Sequence, residues 1–527
     1  MNLTTQKLNT ALWAAADVMR KTMTADVYKD YLLGLVFYKA LSDRMLVEAY
    51  DQLTDEKPKS LDEAQAEYAK ATQDKEIWPD LQYNLMDTFG CVILPEHMFL
   101  AFYEQINNRT FLLDNLQQAF RNVESAGGGI YLGLFDDFDV QSKDLGKTPD
   151  KRNEMIASVI KALAAIDFSQ YPEDALGDAY EYLISQFAAE SGKKAGEFYT
   201  PQSVSRLIAR IVTKDQNKKY AFSVYDPTCG SGSLLLQVRN SIENANSVDN
   251  KKAVQFFGQE LKNQTYNLAR MNMMLHQVPG TNQHLRNGDT LDADWPTDEP
   301  TNFDAVVMNP PYSQKYDARE GLLKDPRFAQ YKKLPPPSRA DFAFLLHGFY
   351  HLKETGTMGI VLPHGVLFRG GAEGTIREGL LKKGNIYAVI GLPAGIFFST
   401  GIPTCIVVLK KSNTTRNVLF IDASKEFRKE RARNFLDPEH IEKIFQAYVA
   451  RKDVEKFARL ATFEEIQKNK FNLNIPSYVD TFEEEEQIDL QATFKELAKI
   501  EKEEAEVNAR FAGFVKDLGL FFDGMKL

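Results

Sequence analysis

The segment Phe303-Asp304-Ala305-Val306-Val307-Met308-Asn309-Pro310-Pro311-Tyr312 carries the most specific chemical signal in the chain. An apolar run leads directly into an amide, two prolines and an aromatic ring. The prolines fix φ and make a stiff, extended turn. Such a turn can hold the Asn309 amide oxygen and a backbone carbonyl as paired hydrogen-bond acceptors. Tyr312 stands beside them and offers a face for stacking. Two acceptors next to an aromatic platform suit a planar substrate that bears an NH2 group.

Four further stretches have residue types that could hold a ligand. In Val224-Tyr225-Asp226-Pro227-Thr228-Cys229-Gly230-Ser231-Gly232-Ser233 a strand ends in an acid, turns through two glycines and opens a helix. Glycine lets a backbone approach a ligand where a side chain would clash. A dinucleotide site is the rival reading, but Leu235 stands where the third glycine of GxGxxG belongs. In Phe257-Gly258-Gln259-Glu260, an acid ending a second strand can accept both hydroxyls of a ribose, and a solvated Glu fits the same pattern. Asn287-Gly288-Asp289 ends a third strand; Asp289 can accept the amino group of an adenine ring, although a plain Asn-Gly turn is common. In Gly196-Glu197-Phe198-Tyr199-Thr200-Pro201-Gln202, Thr200 is expected to cap a helix whose first residue is Pro201. Phe198 and Tyr199 could pack on a cofactor or in the core.

The elements that must position these residues are of two textures. Residues 1–165 read as helices: Asp26–Leu53 carries apolar residues at helical spacing, including Tyr31, Leu32, Leu35, Val36, Tyr38 and Leu41. From Phe222 short apolar runs (222–225, 254–258, 303–308, 358–362, 386–392, 404–409) alternate with helical stretches at 233–241, 264–275, 341–352 and 373–382. That alternation predicts an α/β catalytic domain over 166–425, with a mostly parallel sheet and helices on both faces. A mixed region, 426–527, follows. It holds a basic cluster, EFRKERAR at 426–433, and from Glu483 a charged helix. That helix has an apolar stripe at Leu490, Phe494, Leu497, Ile500, Val507, Phe511 and Phe514, interrupted by Glu504 and weakened by Gly513.

Composition narrows the setting. No apolar run approaches the roughly 20 residues that span a bilayer, and the start of the chain has no secretory pattern. Cys91, Cys229 and Cys405 are far apart, which points to a reducing cytoplasm and no zinc site. The net charge of −10 argues against a chain that grips DNA unaided, because phosphate contacts supply most non-specific affinity. Either a local surface or a partner must bring positive charge. Residues 313–340 are one local source, with Lys315, Arg319, Lys324, Arg327, Lys332, Lys333 and Arg339; they fit a loop that closes over DNA, and a plain solvated surface loop fits the same pattern.

The order GEFYTP, DPTCGSGS, acidic strand end, NGD and NPPY resembles that of adenine-N6 amino-methyltransferases. It is closest to the M (modification) subunit of type I restriction–modification enzymes. The stretches GIVLPHGVLFR (359–369) and IGLPAGIFFSTGIP (390–403) are also similar to that family. The resemblance implies a Rossmann-like S-adenosylmethionine-dependent methyltransferase sheet, a helical N-terminal domain before it and a helical C-terminal tail. It implies that Glu197, Phe198, Tyr199, Thr200, Pro201, Gln202, Asp226, Cys229, Gly230, Ser231, Gly232, Ser233, Glu260 and Asp289 bind S-adenosyl-L-methionine. Asn309, Pro310, Pro311 and Tyr312 would hold a flipped adenine, with no metal. It further implies double-stranded DNA, a specificity subunit shared by two copies of this chain, and a restriction subunit in larger assemblies, in the cytoplasm of a bacterium or archaeon. Cytosine-C5 methylation is disfavoured, since no Pro-Cys dipeptide exists. Cytosine-N4 and protein glutamine methylation remain as alternatives.

Overall fold

A computed structural model describes residues 3–126, 129–171, 173–191, 199–216, 221–242, 254–292, 302–397, 401–430, 433–481 and 490–518. Two compact units emerge, Met1–Asp480 and Thr481–Leu527. The helical half and the sheet therefore share one unit.

The helical half comprises α1 (Leu3–Arg20), α2 (Ala25–Thr54), α3 (Leu61–Ala71), α4 (Trp78–Phe89), α5 (Phe99–Asn107), α6 (Leu113–Ala126), α7 (Pro149–Ala164) and α8 (Glu173–Ser191). Its centre is α2, whose apolar residues recur on every side; Tyr28, Leu32, Leu35, Tyr38, Met45 and Leu46 are all buried. A helix hydrophobic all round must be surrounded, and α2 is packed by its neighbours. Inside it the Lys39 ammonium donates to the buried Asp43 carboxylate, so neither charge is left unpaired.

The sheet begins after α9 (Gln202–Thr213) with β1 (Ser223–Asp226), α10 (Ser233–Asn240), β2 (Gln255–Glu260), α11 (Asn263–Leu275) and β3 (Gln283–Asn287). It continues with β4 (Phe303–Met308), α12 (Asp341–Tyr350), β5 (Leu352–Pro363), α13 (Gly371–Lys382), β6 (Ile386–Gly391), β7 (Thr404–Lys410) and β8 (Val418–Asp422). The residues read as a basic cluster form a small hairpin, β9 (Arg428–Glu430) and β10 (Arg433–Phe435). Then come α14 (Pro438–Ala450), β11 (Ala458–Ala461) and α15 (Phe463–Lys468). The nine-stranded order is β11-β8-β6-β7-β5-β4-β1-β2-β3. Strands β1 to β5 pair in parallel, whereas β7 runs antiparallel to both β5 and β6, and β11 antiparallel to β8. The sheet thus extends past residue 425, because β11 adds an edge from the region expected to be a mixed tail.

All six residues of β4 are buried, as befits a strand covered on both faces. Strand order reverses between β1 and β4: successive crossovers run outward to β2 and β3 on one side and to β5 on the other. In open α/β sheets the ligand crevice lies outside the carboxyl ends of the strands at such a point. Here those ends are Asp226 and Met308, so the fold alone directs attention to the two most suggestive motifs.

Helix α11 joins the two halves. Arg270 donates through Nη1 to the Leu132 carbonyl at 3.0 Å and through Nη2 to the Ile130 carbonyl at 2.7 Å. Asn267 Nδ2 donates to the Gly133 carbonyl at 2.8 Å. In the second unit, α16 (Leu490–Asp517) is a single helix. Phe494, Leu497, Ile500, Val507, Phe511 and Phe514 are all exposed on it.

Candidate active site

The glycine-rich turn follows β1. Gly230 and Gly232 take φ of +55° and +76°, the left-handed region that glycine enters without steric cost. The turn closes on itself, Gly232 N–H donating to the Cys229 carbonyl at 2.8 Å, and Gly232 is the N-cap of α10. The end of β2 fastens it: Cys229 N–H donates to the Gln259 carbonyl at 3.0 Å, and Gly230 N–H to Glu260 Oε2 at 3.2 Å. The Ser231 and Ser233 hydroxyls lie 2.9 Å apart.

Three acids surround this turn. Asp226 accepts from Thr228 N–H at 2.9 Å, yet burial outweighs that contact and lifts its carboxyl to about 7. Burial likewise raises Glu260, against the hydrogen bonds it accepts from Lys262 N–H at 2.9 Å and from Gly230. Asp289 is exposed just beyond the end of β3, the neighbour of β2, and accepts from Leu291 N–H at 2.9 Å. Between Glu260 and Asp289 the half-exposed Leu261 offers an apolar surface that sequence reading missed. Burial disfavours the charged forms of Asp226 and Glu260, and a cationic ligand between them would favour those forms.

Asn309 follows β4 on the opposite lip. Its Nδ2 donates to Thr200 Oγ1 at 3.0 Å, and its Oδ1 accepts from the Tyr312 hydroxyl at 2.8 Å. The Tyr312 ring meets Phe397 edge-on, with centroids 6.2 Å apart. Pro310 is buried and Pro311 partly so. Thr200 does not cap the helix as expected. The N-cap is Pro201, which has no side-chain cap bond, and helix α9 starts at Gln202. The Thr200 hydroxyl is drawn instead to the Asn309 amide. Tyr199, Thr200, Asp226, Cys229, Gly230, Ser231, Ser233 and Asn309 line one cleft. Gln202 lies behind it, its Nε2 donating to Glu181 Oε2 at 3.2 Å. Glu197 and Phe198 lie outside the described residues.

The segment after the Pro-Pro turn is anchored rather than free. Arg327 and Phe328 are fully buried at its middle. Arg327 pairs with Asp325 at 2.6 Å and donates to the Thr290 carbonyl at 3.0 Å, next to Asp289. It also reaches His347 Nδ1 at 3.1 Å, and His347 Nε2 lies 2.9 Å from the Tyr225 hydroxyl on β1. A guanidinium can only donate, so Nδ1 accepts and Nε2 carries the proton. Burial holds that imidazole well below the usual histidine range. On the same segment Lys315, Lys324, Lys332, Lys333 and Arg339 are exposed, and Arg319 pairs with Asp292.

The chain matches known proteins over most of its length. The profile of the N-6 DNA Methylase family matches residues 171–487, and that of the HsdM N-terminal domain matches residues 8–163. The chain is similar to the type I restriction enzyme MpnII methylase subunit of Mycoplasma pneumoniae, 33% identical over 98% of this chain and 97% of that one. It is 32% identical to the MjaVIII methylase subunit of Methanocaldococcus jannaschii, over 97% of this chain and 84% of that one. Among solved structures, the type I restriction-modification methyltransferase subunit of Streptococcus thermophilus superposes with a TM-score of 0.87 at 54% identity, covering 91% of this chain and 100% of that one.

Proposed function

The chain belongs to the N-6 DNA methylase family and, within it, to the methylase subunits of type I restriction–modification enzymes, and from that premise we propose how its residues divide the work of adenine-N6 methylation. The observation that carries the assignment is the placement of Asn309 across the β1/β4 crevice from the glycine turn, in one cleft with Asp226 and Ser231.

The donor is S-adenosyl-L-methionine, and it supplies an already activated methyl group on a sulfonium. The residues present fit it: left-handed glycines open the turn, and a cation offsets the burial that disfavours the charged forms of Asp226 and Glu260. Tyr199, Thr200, Pro201, Gln202, Cys229, Gly230, Ser231, Gly232 and Ser233 line or support its binding place, with Glu197 and Phe198 on the same segment. Glu260 takes the ribose hydroxyls and Asp289 the adenine amino group, with Leu261 under the ring.

The target adenine leaves the duplex to reach Asn309. Its amino nitrogen is a weak nucleophile because the lone pair is delocalised into the ring. Asn309 Oδ1 and the Pro310 carbonyl accept its two protons, which draws the nitrogen toward tetrahedral geometry. The Tyr312 ring stacks on the base and Pro311 stiffens the turn. Fixed acceptors aimed at the reacting group cost no reorganisation during the reaction.

Sequence choice is assigned to a separate specificity subunit, with two copies of this chain per specificity subunit and a restriction subunit in larger assemblies. The exposed stripe of α16 supports this, since among the described residues of its own unit nothing covers that apolar face. The net charge of −10 also supports it. The setting proposed is the cytoplasm of a bacterium or archaeon; among the described residues no helix is long and apolar enough to cross a membrane. Incubation with labelled S-adenosylmethionine and double-stranded DNA, with and without the specificity subunit, tests the assignment. N6-methyladenine in the digest is expected, and label on cytosine or on protein would overturn it.

A further inference from the structure

We propose that Glu181, on the helical half of the molecule, is a positioning residue for the methyl donor, acting through Gln202 and the Ser231–Ser233 turn. The inference rests on the cofactor site proposed above. Glu181 lies in α8 among Tyr180, Leu183 and Ile184, all fully buried, and is itself only 1% exposed. An acid in such a place is costly unless it is paired or neutral. Among the described residues no lysine or arginine acts on it; its partners are the side chains of Ser233, Asn272 and Gln202.

Those partners come from three different elements. Gln202 is the first residue of α9 and donates its amide to Glu181 Oε2 at 3.2 Å. Ser233 is the first residue of α10, 2.9 Å hydroxyl to hydroxyl from Ser231. Asn272 belongs to α11, and its Nδ2 donates to the Ser231 carbonyl at 2.9 Å. One carboxyl therefore ties the start of α9, the glycine turn and α11 to the helical half.

Two oxygens in the cluster lack a donor: Glu181 Oε1 and Asn272 Oδ1. A buried acceptor without a donor is costly. A proton on Glu181 removes the unpaired charge while Oε2 still accepts from Gln202. Burial moves the acid in that direction, raising it to about 7. Ionisation would leave a buried charge that no lysine or arginine among the described residues pairs, and would loosen the turn. The titratable groups that feel its charge are Tyr199, beside the cleft, and Asp178, on the same helix. His276 of α11 interacts with Asp178 and Arg239 instead.

The test is calorimetric binding of S-adenosylmethionine to the full chain between pH 6 and 9, with thermal melts as the folding control. Glu181→Ala is expected to weaken binding at least tenfold. Glu181→Gln carries the donor and acceptor of the neutral acid, so it should bind like the native chain near pH 6. Above pH 7 its advantage over the native chain should grow, approaching about tenfold per pH unit. Comparing these two proteins cancels the titration of Asp226, which both share. Native affinity in Glu181→Ala would overturn the proposal, and so would a ratio between Glu181→Gln and the native chain that does not change with pH. The second comparison stands even if the alanine variant fails to fold. Failure of the native chain to bind the donor would instead sink the cofactor assignment beneath it.

Discussion

The Tyr312 hydroxyl donates to Oδ1 of Asn309 at 2.8 Å, so the amide oxygen assigned to the incoming adenine is already in use. An amide oxygen has two lone pairs, so the base either shares this acceptor with the hydroxyl or displaces it. Tyr312→Phe removes the competitor and keeps the ring, at the loss of a hydrogen bond worth about 0.5–1.5 kcal/mol. Its single-turnover methylation rate is expected to match or exceed that of the native chain. Tyr312→Ala should be slower by the stacking it forfeits, about 1–3 kcal/mol per base. A phenylalanine variant slower than the alanine variant would show that the hydroxyl is needed in transfer.

Asn309→Ala removes the acceptor itself. The expected loss in single-turnover rate is about 10²–10³-fold, the usual cost of deleting one preorganised polar contact to a reacting group. Donor affinity should stay near native, because Asn309 faces the cleft from the opposite lip. Retention of most of the turnover would refute its role.

Gly232 has a φ of +76°, but a Cβ added there meets only ordinary contacts, the nearest being Met273 Cε at 3.5 Å. The penalty of Gly232→Val is therefore in the backbone rather than in a clash. Holding valine in the left-handed region costs about 1–3 kcal/mol, and relief of that strain shifts Ser233 and the start of α10. Calorimetry should show lost donor affinity in this variant and in Glu260→Ala. Native affinity in both would displace the site from this turn.

Asp226 gives the cofactor site a pH signature. Its carboxyl is raised to about 7 by burial, so it is protonated below that pH in the free chain. A cationic ligand favours the ionised form. Donor binding near neutrality should accordingly release a proton, and the Asp226 contribution to affinity should rise as pH increases through 7. Binding heats in buffers of different ionisation enthalpy measure the release. Asp226→Asn should abolish it; an unchanged release in that variant would assign the proton elsewhere.

The isolated chain should bind DNA weakly and without sequence preference, and specific binding should appear on adding the specificity subunit. Deletion of residues 483–527 removes the exposed stripe of α16 and should weaken that assembly while leaving donor affinity native. Gel shifts and sedimentation follow both effects. Tight, selective binding by the chain alone would overturn the division of labour.

Much of the site is legible in the sequence, because its chemistry is written in contiguous residues. An apolar strand running into Asn309-Pro310-Pro311-Tyr312 and a strand breaking at Gly230 and Gly232 have little freedom in what they form. The same holds for β2 ending in Glu260 and for α2, where periodicity predicts 26–53 and the helix spans Ala25–Thr54. Two short strands at one end of the sheet, β8 and β11, escape such reading, since four or five residues in a mixed region give periodicity little to act on. The hairpin β9–β10 hides inside what reads as a run of charge.

Sequence by itself determined most element types and the order of motifs, since backbone propensity and local chemistry depend on near neighbours. Tertiary structure alone decided which distant side chains meet. Thr200 is placed by its sequence to cap its own helix, and packing turns its hydroxyl to Asn309, 109 residues away. Glu181 is visible in the sequence only as an acid on the apolar face of α8, and Arg327 only as one cation in a basic stretch. Each becomes a bracing group because burial forbids an unsatisfied charge or donor. The partners that satisfy them, Gln202 and Ser233 for the first and Thr290 and His347 for the second, are brought there by the fold.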